Sequence, residues 1–154
     1  MKGKLYLIPT FLGQSDKDLI PDYNKQKIFG IQHFIAEREK TARAFMKAIE
    51  HPVAQSEFSF EILDKHTNES DIPGFLKPCL QGHNMGLLSE AGLPCVADPG
   101  ALVVNAARKK GIEIVPLSGL SSIMMALMAS GMNGQQFRFH GYLPIDNKQK
   151  ASRL

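Results

Sequence analysis

Apolar residues in this chain fall in short continuous runs, separated by polar segments rich in glycine and proline. The first run, Leu5-Tyr6-Leu7-Ile8, is closed by Pro9-Thr10 and predicts a strand buried on both faces. A polar loop through Gly13, Gln14, Ser15 and Asp16 follows, and residues 21–30 are ambiguous, with one helical stretch as an option. Ile31 to Ile35 predicts a second strand. From Glu37 to Ile49, Ala42, Phe45, Met46 and Ile49 recur at helical spacing, and His51-Pro52 ends the helix. Phe58 to Leu63 predicts a third strand with partial alternation. A helix is expected from Asp71, a good N-cap, to Gly82, kinked or shortened by Pro78.

Met85 to Leu88 predicts a fourth strand. After it Asp98 can cap a helix with Pro99 in its first turn; Leu102, Val103 and Ala106 face inward, and Lys109-Lys110-Gly111 closes it. Ile112 to Pro116 predicts a fifth strand. Ser121 or Ser122 then caps a helix whose stripe of Leu120, Ile123, Met124, Leu127 and Met128 reads as core packing. Phe137 to His140 is expected to begin another strand, and Ala151 to Leu154 the start of a helix. Strands alternating with helices predict an α/β fold: a mostly parallel five-stranded sheet with helices on both faces.

Bulk properties narrow the class of protein. The 154 residues suit one domain with a proper core. A composition of 44% hydrophobic and 21% charged residues excludes a disordered chain. The net charge of +3 permits an anionic partner such as RNA without arguing for one; the nearest approach to a basic cluster is Lys148, Lys150 and Arg153, which also reads as a solvated helix start. Cys79 and Cys95 form no CxxC, and His33, His51, His66, His83 and His140 are scattered, so no metal is expected and the thiols read as reduced, as in a cytoplasmic protein. No apolar run is long enough to span a bilayer.

In open parallel sheets, ligands lie beyond the carboxyl ends of the strands. The loop after the fourth strand, Ser89 to Gly100, is long for such a connection. It carries two glycines and two prolines and ends on a helix start, where free N–H groups point outward. The loop after the fifth strand, Pro116 to Ser122, repeats these features. Two such loops can hold a polar ligand; the same residues also serve ordinary turns. Neither GxGxxG nor GxxxxGK[ST] is present, and no Ser/His/Asp or Cys/His set stands at a useful spacing.

Taken in order, the loops resemble the tetrapyrrole methylase superfamily, nearest the bacterial 16S ribosomal RNA (cytidine-2'-O-)methyltransferase branch. That branch carries Pro-Thr-Pro-x-Gly, where this chain has Pro9-Thr10-Phe11-Leu12-Gly13, and Ala-Glu-Asp-Thr-Arg, where it has Ala36-Glu37-Arg38. Ser-Asp-Ala-Gly-Thr-Pro and Ser-Asp-Pro-Gly are met by Ser89-Glu90-Ala91-Gly92-Leu93-Pro94 and Ala97-Asp98-Pro99-Gly100. Pro-Leu-Pro-Gly-Pro-Ser/Cys-Ala is met by Pro116-Leu117-Ser118-Gly119-Leu120-Ser121-Ser122, and Gly-Phe-Leu-Pro by Gly141-Tyr142-Leu143-Pro144. Glu90, Arg38, Phe11 and Leu120 depart from the pattern and mark a divergent subgroup.

The resemblance implies an S-adenosylmethionine-dependent methyltransferase with no metal. It implies an N-terminal cofactor-binding domain over residues 1–143, with 144–154 beginning a linker to a second domain that this chain lacks. Pro9, Ser89, Ala91, Gly92, Val96, Asp98, Ser118, Ser121 and Ser122 would line the cofactor site, with Phe139, Gly141 and Leu143 closing one side. Glu37 or Glu90 would serve as general base or acceptor for a weakly nucleophilic hydroxyl. The implied methyl acceptor is ribosomal RNA; a tetrapyrrole or other small molecule, and an inactive cofactor-binding or dimerisation fragment, stand as alternatives. A cytoplasmic homodimer is expected.

Overall fold

The computed structural model describes residues 1–13 and 17–153. Gln14, Ser15 and Asp16 of the expected polar loop, and Leu154, lie outside the described residues. Two compact units are present, Met1–Ser121 and Ser122–Leu154.

The first unit is built on five strands: β1 (Leu5–Ile8), β2 (His33–Ala36), β3 (Ser59–Ile62), β4 (Met85–Leu88) and β5 (Ile114–Pro116). All pair in parallel, in the order β3-β2-β4-β1-β5. The α/β fold and parallel sheet expected from the sequence are therefore found. The helices are α1 (Asp22–Ile28), α2 (Glu39–Ala48), α3 (Ile72–Phe75), α4 (Lys77–Leu80) and α5 (Gly100–Lys109).

Alternation along the strands sends neighbours to opposite faces. On one face Tyr6, Ile8, Phe34 and Leu88 pack with Ile28 of α1 and with Ala42, Phe45 and Met46 of α2. On the other, Leu5, Ile35, Met85 and Leu87 pack with Ile72, Cys79, Val103 and Ala107 from α3, α4 and α5. Phe34 is fully buried, and a side chain of that size contributes roughly 2–3 kcal/mol through the hydrophobic effect. Beside it only glycine fits at position 86, because a Cβ there would stand 2.5 Å from Ile8 Cδ1 and 2.8 Å from Phe34 Cδ1.

Several expectations are corrected. The helix expected from Asp71 to Gly82 is two short helices meeting at Leu76. Pro78 has no N–H for Gly74, and its ring would clash with the Gly74 carbonyl, so the helix cannot run through. Leu102, expected to face inward, is 38% exposed; the helical period places Val103 and Ala107 on the sheet instead.

The second unit holds α6 (Ser122–Ser130) and α7 (Asn147–Arg153). Asp146 caps α7, its Oδ1 accepting from Lys148 N (3.0 Å) and Gln149 N (2.9 Å). The strand expected at Phe137 to His140 is absent, since this segment pairs with no other strand. The methionine stripe is not core: Met124, Met125 and Met128 are 41%, 53% and 81% exposed, and none of the described residues of this unit is buried. A unit this short has too little chain to enclose a helix that is apolar all round.

Candidate functional site

β1 and β4 are neighbours at the centre of the sheet, and their outgoing connections diverge. The connection from β1 runs through α1 to β2, on one face; that from β4 runs through α5 to β5, on the other. Such a switch point opens a crevice at the carboxyl ends of the two strands.

The loops there are joined by hydrogen bonds. Thr10 Oγ1 donates to the Ser89 carbonyl (3.1 Å), and Thr10 N donates to the Gly92 carbonyl (2.9 Å). Ser89 Oγ donates to the same Gly92 carbonyl (2.7 Å). Gly92 holds a φ of +69°, a left-handed conformation that glycine adopts without strain, and its α-carbon faces Leu12 and the Leu120 carbonyl. The β5 loop closes on the β1 loop at Gly119, where any Cβ would collide with the Pro9 ring. Asn24, buried on α1, donates from Nδ2 to the Ser118 carbonyl (2.6 Å). Three loops distant in sequence thus form one supported surface.

Beside it lies a cleft of about 300 Å³. Phe11 and Phe45, with ring centroids 5.2 Å apart, make its apolar wall together with Leu88 and Ala91. Thr41, Ser89 and Glu90 add polar groups. Behind Ser89 is a void of about 10 Å³ that Glu37, Asp98 and Pro99 line. It has room for a water at most.

These positions sort the residues singled out from the sequence. Ser89, Glu90 and Ala91 line the cleft, and Pro9 and Gly92 support it from behind. Glu37 and Asp98 face the small void, so the two candidate carboxylates, Glu37 and Glu90, stand at different cavities. Asp98 Oδ1 accepts from Cys95 N (2.9 Å) and Gly100 N (2.8 Å). It therefore holds the start of α5, with Pro99 just outside the helix. Cys95 and Ala97 take φ of +68° and +60°, and the Asp98 bonds fix this left-handed turn. Val96, between them, is 40% exposed and faces neither cavity. Ser118 is tied through its carbonyl, with its side chain exposed. Ser121 ends the first unit; Ser122, Phe139, Gly141 and Leu143 belong to the second.

Burial against α3, α5 and the sheet pushes the Cys79 thiol up to about 11. Burial, then the nearby Asp98 charge, does the same for Cys95, also to about 11. Neither thiol is an activated nucleophile. Among the described residues no group of three or more His, Cys, Asp or Glu could hold a metal, and no helix is long and apolar enough to cross a membrane.

Sequence reasoning missed Asn24, Thr41 and the wall formed by Phe45. Phe45 read as plain core because its spacing on α2 is that of a buried stripe. Asn24 had one available signal, a short polar side chain three residues after a proline in an otherwise unassigned helix.

The chain is similar to ribosomal RNA small subunit methyltransferase I. It is 29% identical to that protein of Halalkalibacterium halodurans and 32% identical to that of Bacillus subtilis, in each case over 99% of this chain and 50% of the relative. Against the Haemophilus influenzae protein it is 36% identical over 95 residues. The chain thus spans about half the length of the methyltransferase I proteins it matches. No family model matches it. Among solved structures, the uroporphyrin-III-C-methyltransferase of Thermus thermophilus shares the fold, with a TM-score of 0.54 and 21% identity over 86% of this chain and 55% of that one.

Proposed function

We propose that this chain is the cofactor-binding part of an S-adenosylmethionine-dependent methyltransferase acting on ribosomal RNA. The observation that carries the reading is the similarity to ribosomal RNA small subunit methyltransferase I along 99% of the chain, through each loop at the switch point. A cytoplasmic homodimer fits the same reading.

The cleft suits such a cofactor in chemistry. A cleft of 300 Å³ is at the lower end of small-molecule sites. The Phe11 and Phe45 rings offer an apolar wall for a flat base, and Glu90 offers a carboxylate to a cationic centre. When bound, S-adenosylmethionine supplies a methyl group activated by its sulfonium sulfur. The chain's own residues position and discriminate. The Ser89 and Thr10 hydroxyls are engaged with backbone carbonyls, so they shape the Ser89–Gly92 loop and leave contact with ligand to Glu90, Ala91 and free backbone groups. Pro9 and Gly119, packed together, and Asn24, through Ser118, hold the third loop in place. Asp98 fixes the entry to α5. Glu90 is the better placed of the two carboxylates to accept a proton from an attacking hydroxyl, since it borders the larger cleft. The part of Ser121, Ser122, Phe139, Gly141 and Leu143 in cofactor binding rests on the family resemblance alone.

The test is an amide chemical-shift titration of this chain with S-adenosylmethionine. Weak binding is expected, in the range of roughly 0.1–1 mM or about 4–5.5 kcal/mol, because the chain spans half of its relatives. Shifts should concentrate at Thr10–Leu12, Ser89–Gly92 and Leu117–Leu120. Shifts absent at millimolar cofactor, or confined to other segments, would overturn the reading.

A further inference from the structure

The sequence shows no strong basic cluster, but the fold assembles one. Leu5 N donates to the Glu113 carbonyl (2.9 Å), which brings the amino ends of β1 and β5 together beside the carboxyl end of α5. Lys2, Lys4, Arg108, Lys109 and Lys110 thereby share one corner of the first unit. Lys2 Nζ reaches the Lys110 carbonyl at 2.6 Å although the two residues are 108 apart in sequence.

The charges are poorly balanced there. Lys4 pairs with Glu113 (2.8 Å), and Lys2 is held by the carbonyl end of α5. Arg108, Lys109 and Lys110 stand on three successive positions, with no carboxylate at ion-pair distance among the described residues. Arg108 and Lys109 are exposed. Lys109 and Lys110 line a groove of about 400 Å³ along α5, with Glu69 on its wall. Five cations less the carboxylates Glu113 and Glu69 leave +3, equal to the formal net charge of the whole chain. The first unit as a whole is neutral, with fourteen lysines and arginines against fourteen aspartates and glutamates, so this corner is a local excess within it.

The geometry points to this corner as a docking surface for the phosphate backbone of RNA. Exposed cations clustered without counter-charges are what a polyanion neutralises, with release of its own counterions. The partner's class rests on the ribosomal RNA reading above. The corner lies at the amino ends of strands whose carboxyl ends carry the cleft. Four-residue strands are about 13 Å long, so one RNA helix is long enough to touch both ends.

The experiment measures binding of a fluorescein-labelled mixed-sequence RNA stem-loop by anisotropy between 50 and 200 mM KCl (roughly the range over which phosphate contacts weaken most visibly). Two variants, each lacking four cations, are compared with the unaltered chain. One is Lys2→Gln/Arg108→Gln/Lys109→Gln/Lys110→Gln; the control is Lys27→Gln/Lys40→Gln/Lys47→Gln/Lys65→Gln. Thermal melts verify that both remain folded. The corner variant should bind on the order of tenfold more weakly, with a salt slope smaller by about 2–3, and the control should change by less than about twofold. Equal weakening of both variants, no RNA binding by the unaltered chain at the lowest salt, or preference for phosphatidylserine vesicles that RNA does not compete away would each overturn the proposal. Titrating the same samples with S-adenosylmethionine separates the two readings. RNA bound at the corner without cofactor shifts defeats the cofactor reading alone, and cofactor shifts without corner-dependent RNA binding defeat the docking surface alone.

Discussion

Asn24 is 1% exposed, and only half of its amide is used. Its Nδ2 holds the Ser118 carbonyl, while Oδ1 is buried without a hydrogen-bond partner. An orphaned buried acceptor costs about 1–3 kcal/mol, so the tether to Ser118 carries that cost. Asn24→Asp sets a carboxylate against the carbonyl it once bound. It should destabilise the chain by about 3 kcal/mol or more at pH 7 and recover part of that loss at pH 4, where the acid can donate. Urea denaturation at the two pH values checks this; equal losses would mean that the carboxylate escapes to solvent. His51 offers a second titration. Its Nδ1 accepts from Val53 N (3.2 Å), its Nε2 faces the Ile28 carbonyl (3.0 Å), and its ring meets Phe58 edge-on at 4.8 Å. Burial holds its pKa below the ordinary 6.5, partly offset by its bonds to backbone carbonyls. The neutral ring is the folded form. Its contribution is complete above the ordinary value and is lost as pH falls below it. His33, lowered by burial and then by His83, acts in the same direction. The melting temperature should therefore drop between pH 7.5 and 5.5, and His51→Gln should flatten that slope.

At the scale of elements, what could be read in advance followed what each signal physically encodes. Continuous apolar runs marked β1 and β4, buried on both faces, and partial alternation marked the more exposed edge strand β3; all five strands were found near their expected places. Periodicity located α2 and α5 but mistook Leu102 for an inward residue, since an error of one position in phase turns a side chain by about 100°. The proline inside the expected 71–82 helix forecast trouble without saying that two helices would result. The candidate site was legible as loops, through Ser89 to Gly92 and Ser118 to Leu120. It was not legible as contacts, because Thr10 to Ser89 and Asn24 to Ser118 are 79 and 94 residues apart. Gly119 shows how tightly these loops are joined. Gly119→Ala would drive a methyl into Pro9 and should cost about 1–3 kcal/mol. Gly13→Ala, with open space around its Cβ site but a φ of +97°, should cost only about 1 kcal/mol. Gly119 has no left-handed φ, so a loss no larger than that at Gly13 would show that the Pro9 ring yields to the added methyl.

At the scale of the whole molecule, stability is unevenly distributed. The first unit holds every buried residue, and the second holds none among those described. Arg138 sits in the second unit within a segment without regular structure. Limited trypsin digestion should cut first after Arg138 and leave a resistant fragment that retains the sheet. A first cut inside Leu5–Pro116 would contradict that distribution. The two thiols complete the picture. With the thiols pushed up to about 11, both stay in the thiol form at neutral pH. The native cysteines are thus slow to react in the folded chain, and Cys79 is buried as well. A cysteine introduced on an exposed face can carry a fluorophore or spin label selectively, without first removing Cys79 or Cys95, so the protein supplies its own clean background for spectroscopy.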